Sequence, residues 1–259
     1  MVKGCGVGGE TTAISGLAHE TPPAQAHHRA GIQVSKALEP GPKRNGLTMS
    51  TEVEFFGSLQ SPYCYFALDR LEIMMHDLQV QIVMRPVLPG VIRIPDAYAD
   101  RSPMEQAYFL RDVARTAEFL SLPYQEPEPS PVNWIEGSLW IAKPDQRRVK
   151  RLYNLLYQAH LLGEAYPLYA GLMRLVWSGQ TPGWDEEIHL SKCVAACGLS
   201  ERLIDQPDVL TPDAENYFAA NQQAMFGYGH WGVPMFSWCQ EPFYGQDRLD
   251  QLRWRIERS

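Results

Sequence analysis

Phe56-Gly57-Ser58-Leu59-Gln60-Ser61-Pro62-Tyr63-Cys64-Tyr65 decides how the rest of the chain is read. An apolar, strand-like run, Val53 to Phe56, precedes the turn. A helical pattern through Ala67, Leu68, Leu71, Met74 and Met75 follows it. Ser61 to Cys64 therefore lies where a strand passes into a helix. Pro62 suits the first helical position, where an N–H would lack a partner anyway. The opening amides of a helix and the positive end of its dipole stabilise an anion or a thiolate held there.

Ser61-Pro62-Tyr63-Cys64 has the form of a Cys-x-x-Cys redox motif whose first cysteine is serine. In thioredoxin-like proteins the first cysteine is the low-pKa nucleophile and the second resolves the mixed disulfide. A hydroxyl cannot form that disulfide. What remains is a thiolate-stabilising cradle without its own thiolate, which suits a protein that takes its thiol from a bound cofactor. Two plainer roles stand beside this one: Ser61 as a helix N-cap and Cys64 as a buried core residue.

The chain has 259 residues, enough for one large domain or two small ones. A net charge of -7 and a pI near 5.5 disfavour nucleic acid and anionic membrane as partners. No apolar run reaches the roughly 18 residues that span a bilayer. Residues 1–48 lack periodicity and mix Gly-Val-Gly-Gly with Pro-Pro and Pro-Gly-Pro, the composition of a disordered leader or an added extension. His27-His28 within them reads as a solvated pair, and without an apolar signal core the expected compartment is the cytoplasm. Cys5, Cys64, Cys193, Cys197 and Cys239 form an odd, scattered set, expected to stay as thiols. Cys193 and Cys197 share a helical face, but with no histidine or second cysteine pair nearby no metal site is expected.

Beyond the first helix, Gln79 to Met84 reads as a second strand, closed by Arg85-Pro86-Val87-Leu88-Pro89-Gly90. A strand, helix, strand order implies a parallel pair. From residue 104 to about 225 no strand pattern appears, and apolar residues recur at helical spacing. Leu122 to Pro131 interrupts that block with prolines. Trp184-Asp185-Glu186-Glu187 and Thr211-Pro212-Asp213 each read as a helix start. Strands return at Met235 to Trp238 and Pro242 to Tyr244, and Gln246-Asp247-Arg248 opens a last helix. The expected fold is α/β, with thioredoxin-like βαβ and ββα halves and a large all-helical insertion. The expected division is 52–100 with 226–259 as the thioredoxin-like domain, and 101–225 as the insertion.

Phe56 to Tyr65, Gly229-His230-Trp231-Gly232-Val233-Pro234 and Gly245-Gln246-Asp247-Arg248 together resemble the 2-hydroxychromene-2-carboxylate isomerase family. That family is closely related to kappa-class glutathione transferases, and both are of the DsbA-type thioredoxin superfamily. The resemblance spans about residues 52 to 257. It implies glutathione as cofactor, with the hydroxyl of Ser61 as the catalytic group beside the glutathione sulfur. Val233 and Pro234 would be joined by a cis peptide bond, the valine backbone pairing with the cysteinyl part of glutathione. Asp247 would hold the γ-glutamyl ammonium, with Gln246 beside it. The activity implied is isomerisation by reversible addition of the glutathione thiolate to an aromatic unsaturated carbonyl compound. A homodimer is expected, because relatives are commonly dimers.

Cys64 departs from the pattern, since relatives often carry serine there. The family's substrate-contacting Lys and Asn have no clear counterparts. Arg85 and Arg93 occupy the right part of the chain to meet a substrate carboxylate, and Tyr63, Trp231, Tyr108, Phe109 and Trp134 could line an aromatic acceptor site. The alternatives are a kappa-like glutathione transferase or peroxidase, a DsbA-like thiol oxidoreductase using Cys64, and a non-catalytic binding module.

Overall fold

The structure, a computed structural model, describes residues 52–259. The readings made for residues 1–48, including Cys5 and His27-His28, lie outside the described residues. Four strands, β1 (Glu52–Gly57), β2 (Gln81–Pro86), β3 (Met235–Trp238) and β4 (Glu241–Tyr244), form one sheet in the order β2-β1-β3-β4. β1 and β2 are parallel, and β3 runs antiparallel to both β1 and β4. Helix α1 (Pro62–Leu78) is the crossover between the parallel strands.

Between β2 and β3 come a single turn of helix, α2 (Gly90–Arg93), and then α3 (Pro103–Phe119), α4 (Arg147–Leu161), α5 (Ala165–Trp177), α6 (Glu187–Ala196) and α7 (Pro212–Gly227). Helix α8 (Leu249–Glu257) closes the chain. The thioredoxin-like halves and the helical block between them are thus present as the strand and proline signals indicated.

Successive strand residues face opposite sides of a sheet, and β1 uses both. Phe55 stacks on Phe236 with ring centres 5.0 Å apart and meets the edge of Tyr169 from α5 at 5.5 Å. Phe56 points the other way, into a smaller cluster with Val87, Met225 and Met235 beneath α7. The larger core runs without a break from β1 and α1 through α4, α5 and α6. The helical insertion and the sheet therefore share their apolar interior.

Three boundaries differ from the sequence reading. Gln79 is not in a strand: it caps α1 in the left-handed conformation at φ 55°, so β2 begins at Gln81. Pro86 lies inside β2, paired opposite Gly57, and is tolerated because β2 is an edge strand. Asp185 precedes α6 and ion-pairs with Arg148 at 3.0 Å, leaving Glu187 as the acid of the first turn.

Helix α3 opens with a complete capping box. The Ser102 hydroxyl accepts from the Glu105 amide, and the Glu105 carboxylate accepts from the Ser102 amide. Ser102→Ala is expected to lower stability by about 1 kcal/mol, measured as a drop in the urea unfolding midpoint with unchanged slope.

Candidate active site

The turn after β1 is held from outside itself. Tyr169 of α5 donates to the Ser58 carbonyl at 3.2 Å, and the Trp177 indole N–H donates to the Leu59 carbonyl at 2.9 Å. Tyr153 of α4 donates to the Val87 carbonyl at 2.6 Å and accepts from the Leu59 amide at 3.3 Å. The Gln60 side-chain oxygen accepts from the Val132 amide at 3.0 Å. Gly57 is required here, because a Cβ would stand 2.5 Å from the Tyr169 hydroxyl. Buried polar groups need partners; the turn's partners come from the insertion.

Ser61 occupies the N-cap of α1, yet its side chain makes no capping bond. Its hydroxyl acts on the Cys64 thiol, favouring the thiolate. Cys64 is fully buried, and burial pushes its thiol up. The Ser61 hydroxyl, the Ser58 backbone, the Tyr169 hydroxyl and the Arg93 charge act in the opposite direction without overcoming it. Such a thiol has little thiolate character at neutral pH.

Above the turn opens a cavity of about 660 Å3. Ser61, Tyr63, Trp231 and Val233 line it, together with Phe109 and Trp134. Tyr108 lines an adjoining pocket of about 520 Å3, which shares Tyr63, Phe109, Trp140 and Arg101 with the first. No cysteine is among the described residues lining either space. Tyr63 donates to Asp112, and burial, then that carboxylate, pushes its phenol up, so it stays protonated.

The remaining predicted residues lie outside the cavity lining. Pro234 follows Val233 through a cis bond, and its carbonyl accepts from the Gly245 amide at 2.9 Å. Among the described residues, no backbone hydrogen bond engages Val233. Gln246 accepts from Arg70 of α1. Asp247 stands at the start of the last helical segment, 3.1 Å from Arg248, with its carboxylate 61% exposed.

Neither arginine proposed for a substrate carboxylate reaches the cavity. Arg85 is tied to Glu54 at 2.9 Å, and Tyr228, beside Phe56 on the α7 side of the sheet, donates to the same carboxylate. Arg93 is partly buried: its Nε donates to the Leu88 carbonyl at 2.9 Å and one terminal nitrogen to the Trp231 carbonyl. Burial lowers its pKa, with Tyr98, Tyr153 and Cys64 as its titratable neighbours. Its contacts fix the wall behind Trp231 instead.

The cation facing both spaces is Arg101, a residue the sequence reading passed over. Its guanidinium lies 5.4 Å from the Trp140 ring centre and 5.8 Å from that of Tyr98, and 3.2 Å from Glu105. Tyr98 and Trp140 stack on each other with ring centres 5.8 Å apart, and beside this pair Arg101 is held in position for a planar anion. Tyr98, Arg101 and Trp140 come from irregular segments without periodicity. The clue available was an arginine close behind an isolated tyrosine, in a stretch too short for pattern.

A family model for the DSBA-like thioredoxin domain matches residues 52–257. No curated protein matches significantly. Among solved structures, a 2-hydroxychromene-2-carboxylate isomerase is similar with a TM-score of 0.58 at 18% identity, over 80% of this chain and 95% of that one. A probable DsbA oxidoreductase from Streptomyces coelicolor gives 0.53 at 17%, over 80% and 90%. The cytosolic disulfide reductase DsbM from Pseudomonas aeruginosa gives 0.51 at 15%, over 80% and 97%. At these identities the likeness is one of fold, which leaves activity to the site. Among the described residues, no helix is long and apolar enough to cross a membrane.

Proposed function

The chain belongs to the DSBA-like thioredoxin domain family, and from that premise we propose that it is a glutathione-dependent isomerase acting on an aromatic unsaturated carbonyl compound. One observation carries the reading: the helix-start position of a redox nucleophile is Ser61, at the wall of an aromatic cavity with no cysteine among its described lining residues. A thiol must then be brought in. The fit of a thiol tripeptide rests on Val233, which lines the cavity and whose backbone makes no hydrogen bond among the described residues. An extended peptide can pair with such a backbone as an added strand.

When bound, glutathione supplies a nucleophile that adds reversibly to the acceptor and departs after bond rotation. The chain's residues take the supporting roles. Ser61 directs its hydroxyl at the sulfur, and the start of α1 adds the dipole that favours a thiolate. Arg101 pairs with an acceptor carboxylate, while Tyr98, Phe109, Trp134 and Trp231 cover its rings. Asp247 offers its exposed carboxylate to the γ-glutamyl ammonium. Transfer of the thiol differs only in that departure does not follow, so a kappa-like transferase would use the same groups. The burial of Cys64 weighs against a thiol oxidoreductase built on that residue.

Calorimetric titration of reduced glutathione tests the proposal. Micromolar to low-millimolar affinity is expected, weakened in Asp247→Ala by about ten-fold or more, which is about 1.4 kcal/mol. Absence of binding to the wild type would overturn the reading. Unchanged affinity in Asp247→Ala would remove that residue alone.

A further inference from the structure

Helices α5 and α6 meet at a glycine faced by two thiols. A Cβ on Gly171 would stand 3.1 Å from the sulfur of Cys193 and 3.1 Å from that of Cys197. Both sulfurs thus converge on one point of α5. The Cys197 thiol donates to the Pro167 carbonyl at 3.3 Å. Both residues are partly exposed, and neither lines the cavity above Ser61.

The spacing determines what chemistry this pair can perform. Side chains four apart on a helix have Cβ atoms about 5–6 Å apart. A disulfide needs about 3.5–4.5 Å between them. Cys197 caps α6, and its amide keeps the helical bond to the Cys193 carbonyl at 3.2 Å; while that turn persists the pair is too wide to close an S–S bond, but suited to two bonds with one intervening atom. Thiolates select soft cations. Among the described residues, no group of three or more His, Cys, Asp or Glu side chains is placed to hold a metal ion. Tetrahedral zinc, which wants four such ligands, therefore does not fit. The expectation of no metal at these cysteines considered only that kind of site.

We infer that Cys193 and Cys197 form a two-coordinate dithiolate site for a soft, thiophilic monovalent cation, with Cu(I) as its probe. Binding replaces the two sulfur protons, which pass to solvent, and the cation keeps its oxidation state.

The test uses the full chain with Cys5→Ser and Cys239→Ser, titrated anaerobically with the coloured Cu(I)–bicinchoninate complex. One equivalent of copper is expected to leave the chromophore. Further substitution Cys193→Ser or Cys197→Ser should each weaken retention by about 100-fold or more. Retention untouched by either change, or lost with only one of them, overturns the proposal. X-ray absorption at the copper edge needs no further variant: two sulfur neighbours are expected, and nitrogen ligands or a third sulfur refute it. A disulfide formed between these cysteines on mild oxidation, with helical circular dichroism intact, would refute the spacing argument.

Discussion

Ser61→Ala is expected to slow glutathione-dependent turnover by about 100-fold to 1,000-fold, the range for losing a donor that acts on developing or stored negative charge. The hydroxyl makes no capping bond, so its removal leaves the helix start intact. Glutathione affinity should stay within a few-fold, because Val233 and Asp247 are untouched. The bound thiol's pKa should rise, read from thiolate absorbance against pH. A merely structural role would move the unfolding midpoint without moving that titration. Turnover and thiol pKa both unchanged would rule out the serine's assigned part.

Trp177→Ala is expected to have the largest effect on stability, about 3–5 kcal/mol, as for other fully buried aromatic truncations. Trp177 is 1% exposed, its ring stacks on Tyr124 with centres 6.2 Å apart, and its N–H holds the Leu59 carbonyl. Removing it opens a void and leaves a buried acceptor without its donor. Trp177→Phe keeps most of the volume but loses the hydrogen bond, and should cost about 1–3 kcal/mol. Urea unfolding of both variants separates the two terms. Equal midpoints for Phe and Ala would show that the hydrogen bond, not the packing, carries the effect.

The features legible in the sequence were those written locally. The strand into Gly57, the proline at the start of α1, the Thr211-Pro212 cap and the closing hairpin each sit in a few consecutive residues with strong punctuation. Together they determine the order of elements and hence the fold. The cavity is assembled from segments far apart in the chain, and only its floor at Ser61 and its wall at Trp231 and Val233 carried such marks. Arg85 and Arg93 stand where a substrate carboxylate is expected, and nothing nearby in sequence announces that Glu54 occupies the first. Nothing in the sequence marked Tyr153, Tyr169 or Trp177 as partners of the turn. Periodicity gives the face of a helix, not the carbonyl that a phenol or indole at that face will meet.

The hydrogen bonds from Tyr169 and Trp177 to the Ser58 and Leu59 carbonyls bear on how such proteins can diverge. The insertion is not an interchangeable cap on an autonomous scaffold, because the conformation of the turn after β1 is encoded partly in helices that follow it by more than a hundred residues. A chimaera with another relative's helical block would inherit a differently shaped turn even if every residue from Phe56 to Tyr65 were retained. Substitutions at Gly57 and at Tyr169 are correspondingly bound to one another: the first becomes acceptable only once the second has been shortened.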